Sequence, residues 1–221
     1  MSRQWETIGE LGLQFFGKIS ASISHEIKNT LAIMNENAGL LEDYCQLADK
    51  SKPVDPGRLK EVASSIRNQI RRTDGIVTNL NRFAHSTDQW MMGVDVGDFL
   101  RFMCQLTGRL AFIRGVRLKP EPLSASVKIQ TNLFFLEHLF WLCLDFAISM
   151  AGEGRTIRLT ADALQTGVRI ILRGLEGLAG SPKTNFPGRH GKTLLRVLEG
   201  ELEINEAAGE LVLILPKEVS Q

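Results

Sequence analysis

One unbroken helical stripe constrains this chain more than any other feature. From Phe15, the apolar residues Ile19, Ile23, Ile27 and Leu31 follow in steps of four, and Met34, Ala38 and Leu41 continue in steps of three and four. Such steps put the side chains on one face of an α-helix. No Pro or Gly falls between Lys18 and Ala38, so a long helix is expected over about residues 5–48, with Gly12 and Gly17 weakening its first part by roughly 1 kcal/mol each relative to Ala. His25 lies two residues from both Ile23 and Ile27. Two residues rotate a helix by about 200°, which turns this imidazole away from the stripe and into water. Glu26 is its neighbour, and Asn29 follows one turn on, on the same face.

Ser51 to Gly57, SKPVDPG, breaks the pattern with two prolines. A second helix is expected from about Arg58 to His85, with Leu59, Val62, Ile66, Ile70, Thr73, Val77, Leu80 and Ala84 at three/four spacing and one polar slot. Two long amphipathic helices with a short connection make an antiparallel hairpin. A lone hairpin cannot cover both stripes, so two copies pairing as a four-helix bundle is the natural solution.

The periodicity lapses between Ser86 and Asp95, which reads as a linker, and the remainder reads as α/β. Expected there are a helix over 96–112, short strands at 115–119 and 127–130, and a strongly apolar helix over 132–151. A strand hairpin at 156–161 and 167–173 follows. A Gly/Pro loop then spans 174–191, with a short helix at 193–198 and strands at 201–205 and 210–215. Pro120, Pro122 and Ser124 mark turns.

The segment Ser24-His25-Glu26-Ile27-Lys28-Asn29-Thr30-Leu31 closely resembles the H-box of two-component sensor histidine kinases, HEIKNPL, with Thr30 where that family carries Pro. The resemblance implies that His25 is a phosphoacceptor, that Glu26 is the adjacent general base and that Asn29 is a supporting polar residue. It implies a dimerisation and phosphotransfer hairpin over residues 1–88, acting as a dimeric four-helix bundle. Over residues 96–221 it implies an α/β sandwich similar to the ATP-binding domain of those kinases. The missing Pro removes the usual cause of a helix bend there.

The nucleotide chemistry of that family is not matched. Aligning Leu139 to Met150 with the helix whose asparagines hold Mg²⁺ and phosphates puts Leu142 and Phe146 at the asparagine positions, with Asp145 one residue off register. Where an Asp should read the adenine amino group, Arg173 heads Arg173-Gly174-Leu175-Glu176-Gly177, and a donor would meet a donor. The lid is short, and the glycine turn reads Gly188-Arg189-His190-Gly191-Lys192-Thr193. A P-loop is excluded because its first Gly would fall on Phe186. The expectation is therefore a phosphotransferase of phosphorelay signalling that binds no cofactor itself and does not use ATP, with Mg²⁺ supplied by a response-regulator receiver domain. Two alternatives stand beside it: an autokinase with a shifted nucleotide pocket around Asp145 and Gly188–Thr193, and a non-catalytic dimeric scaffold that regulates a kinase or receiver.

Composition narrows the remaining classes. A net charge of +1 over 221 residues argues against a dedicated nucleic-acid binder. Cys45, Cys104 and Cys143 are too few and too scattered for a disulfide framework, which fits a reducing, cytoplasmic setting; they are expected to be small buried groups. No apolar run reaches membrane-spanning length. Since the H-box helix starts almost at residue 1, either a sensor precedes it in a longer protein or it has no sensor of its own. Asn29 occupies the second His slot of an H-E-x-x-H motif, which rules out that zinc site. His85, His138 and His190 lack a partner motif and read as structural or exposed. Trp90 and Trp141 read as packing residues. Arg67, Arg71 and Arg72 read as a solvated face that, on the hairpin reading, borders the acidic pocket of a receiver.

Overall fold

The computed structural model describes residues 3–50, 53–123, 125–178 and 185–219. The chain forms two compact units, one of Met1–Ile19 with Phe83–Gln221 and one of Ser20–Arg82. Helix α1 (Arg3–Asp49) is a single 47-residue helix and α2 (Pro56–Ala84) has 29 residues. Asp55 opens α2: its carboxylate accepts from Gly57 N at 2.8 Å, serving one of the amides left unpaired at a helix start. The turn residues Ser51 and Lys52 lie outside the described residues, and so does Ser124.

In the Ser20–Arg82 unit, Ile23 of α1 and Val62 of α2 are buried. Several members of the expected stripes are not covered by the partner helix: Leu31 is 53% exposed and Ile70 52%, and Leu59 and Val77 are also exposed, as are Leu40 and Leu47 outside the stripes. A two-helix hairpin buries one seam only, and residues flanking that seam stay in water unless another surface meets them.

The larger unit carries a five-stranded sheet in the order β2 (Arg117–Pro120), β4 (Thr156–Ala163), β5 (Gly167–Arg173), β7 (Glu210–Pro216), β6 (Glu201–Asn205). β2 runs parallel to β4 and the other pairs are antiparallel. Helices α3 (Val96–Ile113), α4 (Leu133–Ser149) and α5 (Gly188–Val197) complete it. Alternation puts Ile157, Leu159 and Ala161 of β4 with Val168, Ile170 and Leu172 of β5 into the core. Buried on the helices are Phe99, Phe102, Leu136, Phe140 and Leu144. The first turns of α3 and α4 are capped by Asp95 and Asn132, whose side chains accept from Asp98 N and Phe135 N at 2.9 Å.

Two expectations are corrected. The segment 86–95 is not a plain linker. His85–Thr87 is one 3₁₀ turn, and Met92–Asp95 forms strand β1, paired antiparallel with β3 (Lys128–Thr131). The strand holds because Val94 is buried. The Gly/Pro loop also ends early, since α5 starts at Gly188. Gly191 faces Pro187 so closely that an added Cβ would lie 2.5 Å from the proline Cβ; the glycine is what lets this turn close. A further 3₁₀ turn covers Glu176–Leu178, while residues 179–184, where the short lid was expected, lie outside the described residues.

Candidate functional site

Periodicity places His25 on the water side of α1, and its side chain is exposed, as is Asn29. Among the described residues neither makes a side-chain hydrogen bond. Glu26 is turned by the helix toward α2. Its carboxylate accepts from the Arg72 guanidinium at 2.9 Å, with side chains 21% and 55% exposed. An exposed pair of this kind contributes about 0.2–1 kcal/mol, so it orients Glu26 more than it stabilises the hairpin. In this structure Glu26 is paired with Arg72 and not with the His25 ring, and Arg72 is not a bare member of a solvated face.

One turn beyond Glu26, Thr30 is fully buried at 0% exposure. Three short contacts meet there: Thr30 Oγ1 to Ile27 O at 2.8 Å, Thr73 Oγ1 to Thr30 Oγ1 at 2.8 Å, and Thr73 Oγ1 to Gln69 O at 2.9 Å. Each hydroxyl has one proton, so two protons serve three contacts. The polar slot in the α2 pattern, Thr73, is thus matched by the residue that replaces Pro in α1. Back-bonding from Thr to a carbonyl of the preceding turn is itself a helix-bending device.

In the sheet unit, the positions assigned to nucleotide contacts are engaged with other side chains. The ring of Phe146 stacks on Phe186, centroids 4.2 Å apart and planes 7° from parallel. Leu142 lies against the α5 start, where its Cδ1 would be 3.9 Å from a Cβ at Gly191. The Arg173 guanidinium donates to Glu210 at 2.7 Å, and Asp145 accepts from Arg114 at 2.7 Å. Leu142, Phe146 and Arg173 carry neither an amide nor a carboxylate side chain, and the Asp145 carboxylate is paired with Arg114.

Sequence reasoning missed a histidine pair. His138 on α4 and His190 on α5 bring their Nε2 atoms to 3.0 Å, so one imidazole donates and the other accepts. His138 is buried and stacks flat on Phe15, centroids 4.6 Å apart. Burial, with His190 nearby, pushes its pKa from the ordinary 6.5 down to about 3. Burial also lowers His190. His85 is exposed and sits 2.7 Å from Asp88. Trp141 is buried beneath the Lys18 ammonium, 4.8 Å from the ring centroid, whereas Trp90 is exposed. Of the cysteines only Cys143 is buried, and Cys45 is exposed. Among the described residues no three metal-ligating side chains gather, and no helix is long and apolar enough to cross a membrane.

No family model matches the chain. No curated protein matches it. Solved structures to which it is similar include histidine kinases, parts of them, and a phosphotransferase. A histidine kinase of Acinetobacter baumannii, AdeS, is 12% identical, with 87% of this chain and 98% of that chain covered and a TM-score of 0.48. The ATP binding domain of PrrB from Mycobacterium tuberculosis is 20% identical over 58% of this chain and 98% of that one, TM-score 0.46. A bacterial phosphotransferase is 15% identical over 91% of this chain and 95% of that one, TM-score 0.46.

Proposed function

We propose that this chain is a histidine phosphotransferase of two-component signalling, passing a phosphoryl group between His25 and an aspartate of a response-regulator receiver domain. The observation that carries the reading is the contrast between its two parts. His25 stands exposed and unengaged within an H-box on a helical hairpin, while Leu142, Phe146 and Arg173 fill the positions a nucleotide would need.

The receiver docks on the hairpin with its aspartyl phosphate in line with a His25 ring nitrogen. That nitrogen attacks phosphorus. The new P–N bond forms as the P–O bond breaks, the aspartate leaves as carboxylate, and the other ring nitrogen keeps its proton. Mg²⁺ and a lysine of the receiver neutralise charge on the phosphoryl oxygens, so this chain contributes chiefly position. Two copies pair through the exposed apolar residues of α1 and α2 into a four-helix bundle. The sheet unit serves as a docking module.

The test is transfer of radiolabel from a phosphorylated receiver of the same host. Wild type is expected to take label that is acid-labile and lost in His25→Gln. Full transfer by His25→Gln would overturn the assignment. Incubation with labelled ATP and Mg²⁺ is expected to leave His25 unlabelled; label there would identify an autokinase.

A further inference from the structure

We infer that Arg72 is a positioning residue for His25, acting through Glu26 as an anion-operated catch. The inference rests on the phosphotransfer reading above and deepens it. Glu26 is the residue next to His25, and its carboxylate is drawn 2.9 Å from the Arg72 guanidinium rather than to the imidazole. The helix faces explain the choice: Glu26 lies at the edge of the α1–α2 seam, whereas His25 lies outside it. Thr73, the next residue of α2, is bonded to Thr30, four residues beyond Glu26. The backbone on both sides of the ion pair is thereby held in register, and the movable part is the pair itself.

The catch is weakly closed. The Arg72 side chain is more than half exposed, so water and a competing anion reach the guanidinium. A guanidinium takes a phosphoryl group in the same forked way that it takes a carboxylate. An incoming aspartyl phosphate therefore competes for Arg72. Glu26, once released, accepts the His25 ring N–H and leaves the other ring nitrogen with its lone pair free. In the resting state the tautomer is not fixed; in the docked state it is.

Phosphoramidate, a small phosphoryl donor, tests this without ATP or a receiver: its P–N bond breaks, a P–N bond to His25 forms, and ammonia leaves with a proton. Arg72→Gln is expected to label His25 about two- to fivefold faster, the weight of one exposed ion pair, with Arg72→Lys close to wild type. In a Glu26→Gln background, Arg72→Gln is expected to change nothing further. An equal change in both backgrounds, or none in either, overturns the catch. ¹⁵N NMR of the His25 ring gives a readout independent of transfer: Arg72→Gln is expected to shift the tautomer balance, and Arg72→Gln/Glu26→Gln to restore it. A protein that takes no label but shows the tautomer shift keeps the catch and loses the phosphotransfer reading. An unmoved tautomer balance removes the catch whatever the labelling shows.

Discussion

Thr30 occupies the position at which an H-box would carry Pro, and it does more than fill space. Its buried hydroxyl joins a part-buried set of contacts with Thr73 and two carbonyls. Thr30→Val keeps the shape and removes one of the two protons. We expect a loss of about 1–2 kcal/mol in urea unfolding; no change would mean that these contacts contribute nothing to the hairpin. His138 makes a second prediction at this scale. Its folded pKa is depressed to about 3 from 6.5, so the unfolded chain binds the extra proton between those values. The His138 contribution is complete above pH 6.5 and is lost progressively as pH falls toward 3. Wild type is expected to lose thermal stability over that window more steeply than His138→Gln. Parallel pH curves for the two proteins would contradict the assignment.

Among the elements, α5 shows how a single glycine sets a boundary. A Cβ at Gly191 would press on Pro187, so Gly191→Ala is expected to cost about 1–3 kcal/mol, read as a lower denaturation midpoint. The same glycine hid the start of the helix, expected only from 193, because Gly188 and Gly191 read as loop. Strand β4 was legible because Ile157, Leu159 and Ala161 alternate with polar residues, and β5 because the short apolar run Ile170–Leu172 sits between Gly167 and Gly174. Strand β1 was not: Met92–Asp95 buries only Val94 and follows directly on a stretch without periodicity. The exposure of His25 followed from its angle on α1. Its relation to Arg72 did not: the ion pair joins residues 46 apart, and the histidine pair joins residues 52 apart. Periodicity reports which face a side chain takes and says nothing of what another element brings to it.

For the whole molecule, the exposed leucines of the hairpin and Ile70 bear on the proposed pairing of two copies. If two hairpins pair, Leu31→Glu combined with Ile70→Glu places charge in the shared core. Light scattering is then expected to fall from twice the chain mass to the 24.6 kDa of a single chain. A wild-type protein that already runs as a single chain at micromolar concentration would remove the bundle. The sheet unit carries a different consequence, one for descent. Arg173 and Glu210 face each other in register across β5 and β7. An aspartate placed at 173 would set two carboxylates opposite one another, which opposes the pairing of those strands. A lineage acquiring an aspartate there would first have to give up Glu210 and pass through an arginine without that partner. On the proposed reading the ion pair acts as a ratchet: an aspartate at 173 alone brings no new chemistry and loosens the sheet, so the strand pairing itself keeps the arginine in place.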